Sequence, residues 1–404
     1  MKRIFLAILS ILLLVASLLL YIVFFVNGGN GIAAETTGDM LETEQPEEEK
    51  EPIPQTVNDI SYTEILPPEW PAYEAATTPT IPWDMILFDG ELYVGSGDYD
   101  KNAGPVFVMK YNSETGVWEN TGELPDEQIN RFCIIDGKLT IPGTDPQEDW
   151  TLGNYYVLQD GIWTVVRNIP YAIHNFDMVE YNGEIFAGLG VSSGYYPVAV
   201  SSDGGVTFEM VEMYKNGEKL DTSDKSYIRV YDLVVFDDVL YAFYRVNGDD
   251  ETRYFELYRF NTETRVFEYM DDLSDDIKQI KISYDLVRAK VNFNNRLYFS
   301  TGLLYQTDDM QNFEKVELKE NHIVCDVYEE NGELYVLSGC SDEDGKYTVS
   351  VWQLYDETFV ERFNFKYDTP PISFACADGT FYIGFGNYVS ENVKNGTFVS
   401  VKID

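Results

Sequence analysis

The stretch Met85-Ile86-Leu87-Phe88-Asp89-Gly90-Glu91-Leu92-Tyr93-Val94-Gly95-Ser96-Gly97 decides how the rest of the chain is read. An apolar run, a two-residue turn, a second run opening Leu-Tyr and a glycine-rich exit together describe a tight hairpin. Asp-Gly favours the positive φ angles that such turns demand. The pattern recurs along the chain. Turns fall at Asp89-Gly90, Asp136-Gly137, Asn182-Gly183, Asp237-Asp238, Asn294-Asn295, Asn331-Gly332 and Asp378-Gly379. The second strands open at Leu92, Leu139, Ile185, Leu240, Leu297, Leu334 and Phe381, spaced 47, 46, 55, 57, 37 and 47 residues apart.

Two further strand-like segments follow most hairpins. In the first repeat they are Val106–Tyr111 and Val117–Glu119, across the turn Asn112–Gly116. In the fourth they are Tyr254–Phe260 and Arg265–Tyr269. Four antiparallel strands every ~40–50 residues is the pattern of a β-propeller blade. Seven repeats predict an all-β, seven-bladed propeller over residues 56–404. The last repeat supplies Ile372–Ala377, Phe381–Phe385 and Thr397–Ile403 and then the chain stops. Upstream, Ile60–Leu66 is strand-like but belongs to no repeat. It is expected to pair with the last blade, which closes the ring and removes an exposed edge.

The third repeat holds Ser201-Ser202-Asp203-Gly204-Gly205-Val206-Thr207-Phe208. This resembles the Asp-box (BNR repeat), Ser-x-Asp-x-Gly-x-Thr-Trp, with Phe in place of Trp. The segment Gln306–Phe313 resembles a decayed copy. Ser201, Asp203, Gly205, Thr207 and Phe208 would then form a structural hairpin lock, with Asp203 accepting turn N–H groups. Hairpins such as Asn112–Trp118 look kelch-like. Resemblance to the sialidase superfamily would imply three arginines gripping a carboxylate, a Tyr–Glu nucleophile pair and an Asp acid/base. Arg131, Arg229 and Arg288 fall near inner-strand starts, and Tyr231 and Asp84 are at hand. The family's Arg-Ile-Pro segment is missing from the first repeat, and seven repeats exceed the sialidase six.

The N-terminus has a different character. Met1-Lys2-Arg3 precedes the uncharged apolar run Ile4–Val26, about 34 Å as a helix. That length spans a membrane core of ~30 Å. Residues 1–27 read as a signal anchor, with the positive flank inside and everything after it outside, the alternative being a signal peptide cleaved at the small residues Ala33-Ala34. Residues 28–55, with Glu47-Glu48-Glu49 and Glu51, read as a disordered acidic linker. The chain carries 28 basic and 69 acidic side chains, a net charge of −41. Such acidity excludes nucleic acid as a partner, since that needs a basic footprint.

Two His and four scattered Cys offer no thiolate or His-rich metal site. No cofactor is expected, with Ca²⁺ the weaker alternative wherever carboxylates converge. Aligning the repeats on their turns places Asp84, Arg131, Asp177, Asp232, Ala289, Asp326 and Ser373 in one column, five residues before each turn. The preceding column is Trp83, Asn130, Phe176, Tyr231, Arg288, Cys325 and Ile372. From these columns Trp83, Asp84, Arg131, Asp177, Tyr231, Asp232, Arg288 and Asp326, with His174, Arg229 and the loop residues Asp98 and Asp145, form the candidate ligand face. The column carboxylates could instead bond neighbouring strand N–H groups. The expected function is a cell-surface module that binds an extracellular protein or glycan. The alternative is a sialidase-like glycoside hydrolase acting on extracellular glycans.

Overall fold

The computed structural model describes residues 53–65, 80–97, 104–146, 151–223, 228–247, 253–273, 280, 288–387 and 396–403. The anchor run Ile4–Val26 and most of the acidic linker lie outside the described residues, as do Asp98 and Leu66. The described chain is all-β, a propeller of small four-stranded antiparallel blades. The first blade is Ile81–Phe88, Glu91–Gly97, Val106–Asn112 and Val117–Leu124, each strand pairing with the next. Five sheets have this four-stranded form. A larger sheet contains the strands of the third and fourth repeats, joined where Gly190 and Val191 meet Arg229 and Ile228.

The turns explain why the hairpins form. At all seven predicted turns both residues have positive φ, from Asp89 at 51° and Gly90 at 78° to Asp378 at 47° and Gly379 at 72°. Asp and Asn tolerate this conformation, and Gly takes it without steric cost. Within each blade the second strand is buried on both faces, whereas the outermost strand alternates. Leu92–Gly97 is buried throughout, whereas Val117–Leu124 is largely exposed or half-buried. A blade therefore cannot bury its apolar faces alone and must stack on neighbours.

The core is accordingly a series of seams. Val94, Phe107 and Met109 of the first repeat pack with Leu337 of the sixth and with Phe374 and Ile383 of the last. Val108 and Ile141 join the first and second repeats. Phe243 and Phe299 join the fourth and fifth, 5.8 Å apart. The N-terminal segment closes the circuit. Thr63–Ile65 pairs antiparallel with Thr397–Lys402, Glu64 opposite Val399. Just before it, Val57 and Ile60 donate backbone hydrogen bonds to Arg362 and Asn364 of the sixth repeat. Residues 56–65 thus tie the sixth and last repeats together.

One element departs from the repeat. Met213–Lys215 and Glu218–Lys219 form a short hairpin whose first strand runs parallel to Val266–Tyr269 on the outer edge of the fourth repeat. Its turn is Asn216-Gly217, φ 56° and 80°. This insertion lies within the long 55-residue spacing between the third and fourth repeats.

Candidate functional site

The innermost strands of five repeats carry a β-bulge at the same place. The register shifts across Trp83, Phe176, Tyr231, Cys325 and Ile372. A bulge re-aims the side chains beside it. Here it presents the next residue, Asp84, Asp177, Asp232, Asp326 or Ser373, toward the adjoining blade. Asp84 accepts the N–H of Phe132 at 2.6 Å, Asp177 that of Leu233 at 2.8 Å and Asp326 that of Phe374 at 2.9 Å. Each acceptor therefore binds the backbone one position past the equivalent residue of the next repeat. Ser373 donates to the Pro82 carbonyl at 2.6 Å and so latches the last repeat to the first.

Basic side chains complete this belt. Arg131 donates to Asp232 at 2.6 Å and lies 3.4 Å from Asp177. Lys290 binds Asp177 and the Leu233 carbonyl. Arg288 lies over the Trp83 ring, 4.6 Å from its centroid, and donates to the carbonyls of Trp83 and Ile372. Burial pushes Asp84 above the usual carboxylate range and Asp326 up to about 7, with Arg288 opposing both. The belt sits in a channel cavity of about 560 Å³, whose wall continues as Ile86, Ile134 and Val179. Arg131, Arg229 and Arg288 are spread over three surroundings and do not form one carboxylate clamp. The sialidase-type arrangement is not assembled by them.

A second cluster stands where the inner strand of the third repeat begins. His174 stacks on Phe176 (5.2 Å), and Phe176 packs at a tilt against Tyr231 (4.2 Å). Arg229 and Arg245 both donate to the Tyr231 hydroxyl, at 2.7 and 3.0 Å. Both guanidinium groups also lie by aromatic faces, Arg229 by Phe176 and Arg245 by Tyr231. Glycine makes this stack fit, because a Cβ on Gly190 would lie 2.6 Å from the His174 ring and 3.1 Å from Phe176. His174 Nδ1 is 2.7 Å from the Thr144 carbonyl and 3.7 Å from an Asp145 oxygen. A carbonyl can only accept, so Nδ1 carries the proton and Nε2 the lone pair. Burial, with Arg229 nearby, pulls the imidazole down to about 4, so it is neutral at pH 7.

Carboxyl groups line the other side. The loop Asp126-Glu127-Gln128-Ile129-Asn130 is buried throughout despite four polar residues. Asp126 accepts the N–H groups of Glu127 and Asp145, and Asn130 donates to the Thr144 hydroxyl at 3.0 Å. Burial pushes Asp126 up to about 7 and Asp145 up to about 6, the latter against the opposing pull of Arg229. Burial and then the charges of Asp145 and Asp126 push Glu127 up to about 8. Among the described residues no donor reaches the Glu127 carboxyl, although only 5% of the residue is exposed.

The structure thus sorts the sequence candidates into three places. Asp145, His174, Arg229 and Tyr231 come together at the mouth. Arg131, Asp177 and Asp232 form one half of the belt. Trp83, Asp84, Arg288 and Asp326 form the other. Asp126, Glu127 and Asn130 were not among the sequence candidates. Their signal was a polar run placed directly before the inner strand of the second repeat. Among the described residues no three His, Cys, Asp or Glu side chains are grouped to hold a metal ion.

The hairpin Ser201–Phe208 is locked by its own side chains. Asp203 accepts the N–H groups of Val206 and Thr207 at 3.1 and 2.9 Å and the Thr207 hydroxyl at 2.6 Å. Ser201 accepts the Gly205 N–H, and Phe208 is buried 6.1 Å from Tyr155. The Thr207 hydroxyl and N–H hold Asp203 down at about 2. In the fifth repeat Thr307 and Asp309 repeat the device one residue shorter, with Asp309 accepting from Gln311 and Asn312. All four cysteines are unpaired thiols, Cys325 and Cys376 buried.

No family model matches the sequence, and no curated protein matches it. Solved structures with a similar chain path include a polysaccharide lyase of family PL25, an ulvan lyase bound to a glucuronate–sulfated rhamnose unit. It is 15% identical, covers 81% of this chain and 94% of its own, and has a TM-score of 0.47. Sqt1 of Saccharomyces cerevisiae is 10% identical, covering 86% and 100%, TM-score 0.45. A putative 6-phosphogluconolactonase of Bacteroides fragilis is 12% identical, covering 78% and 96%, TM-score 0.45. Likeness at this level says nothing about chemistry.

Proposed function

We propose that the chain is a membrane-anchored extracellular propeller whose mouth binds an acidic glycan. One observation carries this reading: Arg229 and Arg245 converge on one phenol oxygen above the His174–Phe176–Tyr231 stack. Two guanidinium groups held together favour an anion, and their planar forks match carboxylate or sulfate. Aromatic rings beside them suit the C–H face of a sugar. The apolar run Ile4–Val26 supports the anchor, and residues 28–55 the tether. Counting the larger sheet as two blades supports the seven-bladed reading. The locked hairpin Ser201–Phe208 supports the Asp-box resemblance.

The test is equilibrium binding by the full chain in detergent to a panel of hexasaccharides, some bearing uronate or sulfate and some neutral. Binding of acidic members only, weakened roughly tenfold or more by R229A as expected for a lost charged hydrogen bond, supports the reading. Equal binding of neutral members, or none at all, overturns it.

A second reading, that the mouth also acts on its glycan, is favoured by the buried Glu127, whose carboxyl is pushed up partly by Asp145, itself 3.7 Å from the neutral His174. Groups whose protonation is pushed apart are suited to acid–base work. The sialidase-like form of this reading lacks its three-arginine clamp. Glycan cleavage by the full chain, lost in E127Q with binding retained, would establish it.

A further inference from the structure

Eighteen described non-glycine residues have positive φ, and fourteen of them are Asp or Asn. The other four need a reason. Arg265 uses its position to form a two-pronged pair with Glu184. Glu357 pairs with Arg296, and Met310 is fully buried. The fourth, Tyr171, is the one aromatic residue, with φ of 61°. It is the entire connection between the strands Ile162–Pro170 and Ala172–Tyr181. A bulky residue takes this conformation against steric resistance. Yet its side chain is not hidden in the core, for 51% of the residue is exposed.

The ring of Tyr171 lies flat on Tyr195, centroids 3.9 Å apart and planes within 11°. Tyr195 in turn packs against the core that joins the second, third and fourth repeats. The pair is therefore a backed platform, with Tyr171 turned toward solvent. It stands at the same end of the blade as the mouth, since His174 follows three residues later on the strand that Tyr171 leads into. Three residues of strand span about 10 Å, which exceeds one sugar ring. A flat, electron-rich face attracts the slightly positive C–H bonds on one side of a pyranose.

We propose that Tyr171 and Tyr195 form a sugar-stacking subsite on the rim, taking a ring of the same glycan chain whose acidic group lies at Arg229 and Arg245. This rests on the glycan reading above and sharpens it: the ligand is an oligomer or polymer, not a single acidic sugar. Strain accepted at Tyr171 then serves to hold an aromatic ring where glycine would fit the backbone better.

The experiment uses the full chain and the tightest acidic hexasaccharide of the panel, with the disaccharide cut from it. Tyr171→Gly removes the ring and suits a φ of 61°. The expected result is a three- to roughly tenfold loss of hexasaccharide affinity, the scale of one aromatic contact. Disaccharide affinity is unchanged and the melting temperature is held or raised. Tyr171→Phe keeps the affinity for both. Unchanged hexasaccharide affinity in Y171G, with binding still lost in R229A, overturns the subsite and leaves the glycan reading standing. A lowered melting temperature with unchanged affinity overturns it too and makes Tyr171 a packing residue. Failure of the unaltered chain to bind any acidic hexasaccharide overturns both.

Discussion

The channel belt and the mouth cluster are built from similar residues, yet they do different things. In the belt, Asp84, Asp177 and Asp326 each accept a backbone N–H of the next repeat. Arg131 and Lys290 fill further acceptor positions on Asp177 and Asp232. Charge there joins blade to blade. At the mouth, two guanidinium groups meet on the Tyr231 hydroxyl with Asp145 close enough to Arg229 to feel its charge, and the Glu127 carboxyl accepts no hydrogen bond among the described residues. Recurrence of a residue through a repeat is thus a mark of architecture. The site gathers residues outside the carboxylate column: Tyr231 from the column before it, His174 and Arg229 each eight residues before their turns, and Glu127 from the loop before the second repeat.

The largest effect expected from this contrast is on stability. Asp177→Ala would leave Arg131 and Lys290 with a lost carboxylate in a buried setting. Breaking a buried pair in this way costs about 3–5 kcal/mol, and chemical denaturation should show a loss of that order. A loss under 1 kcal/mol would place Asp177 outside the architecture.

Next comes Gly190→Ala. Its new methyl must displace His174 and Phe176, and overpacking of this kind costs about 1–3 kcal/mol. The expected outcome is weakened ligand binding together with that loss. Unaltered binding would detach the stack from the site.

The smallest effect is the pH dependence of stability. Asp126, Glu127 and Asp145 have folded pKa values above their ordinary ones, so their contribution is fully present below about pH 4. It is lost as pH rises through about 6, 7 and 8, the values to which Asp145, Asp126 and Glu127 are pushed. His174 runs the other way. Its lowered pKa contributes stability above its ordinary value, lost as pH falls toward about 4. Denaturation midpoints should therefore decline from pH 6 to pH 8.5, and less so in E127Q. A decline of equal size in E127Q would contradict the assignment.

Much of the fold was legible in the sequence, because turn chemistry is local. Asp-Gly and Asn-Gly pairs declare positive φ wherever they stand, and even Asp237-Asp238 and Asn294-Asn295 follow the rule. The pairing of Thr63–Ile65 with Thr397–Lys402 could be expected from a last repeat short of one strand. The hairpin at Asn216-Gly217 carried the same turn signal, but its parallel partner Val266–Tyr269 lies some fifty residues away and leaves no local trace. The site was half legible. Alignment put Tyr231 and Asp84 one column apart, but it could not show that the bulge sends one to the mouth and the other to the neighbouring blade. Glu127 stood in a visible polar run but was not singled out, for a related reason. Its role depends on burial by distant segments, and nothing in Asp126–Asn130 announces burial.

One paired titration separates the mouth from the belt most directly. The tightest acidic hexasaccharide is titrated into R229Q/R245Q and, separately, into D326N, a mild change in the belt. The mouth variant is expected to lose binding while staying folded, and the belt variant to melt lower while binding as before. Retained binding in R229Q/R245Q with lost binding in a folded D326N would contradict that division of roles.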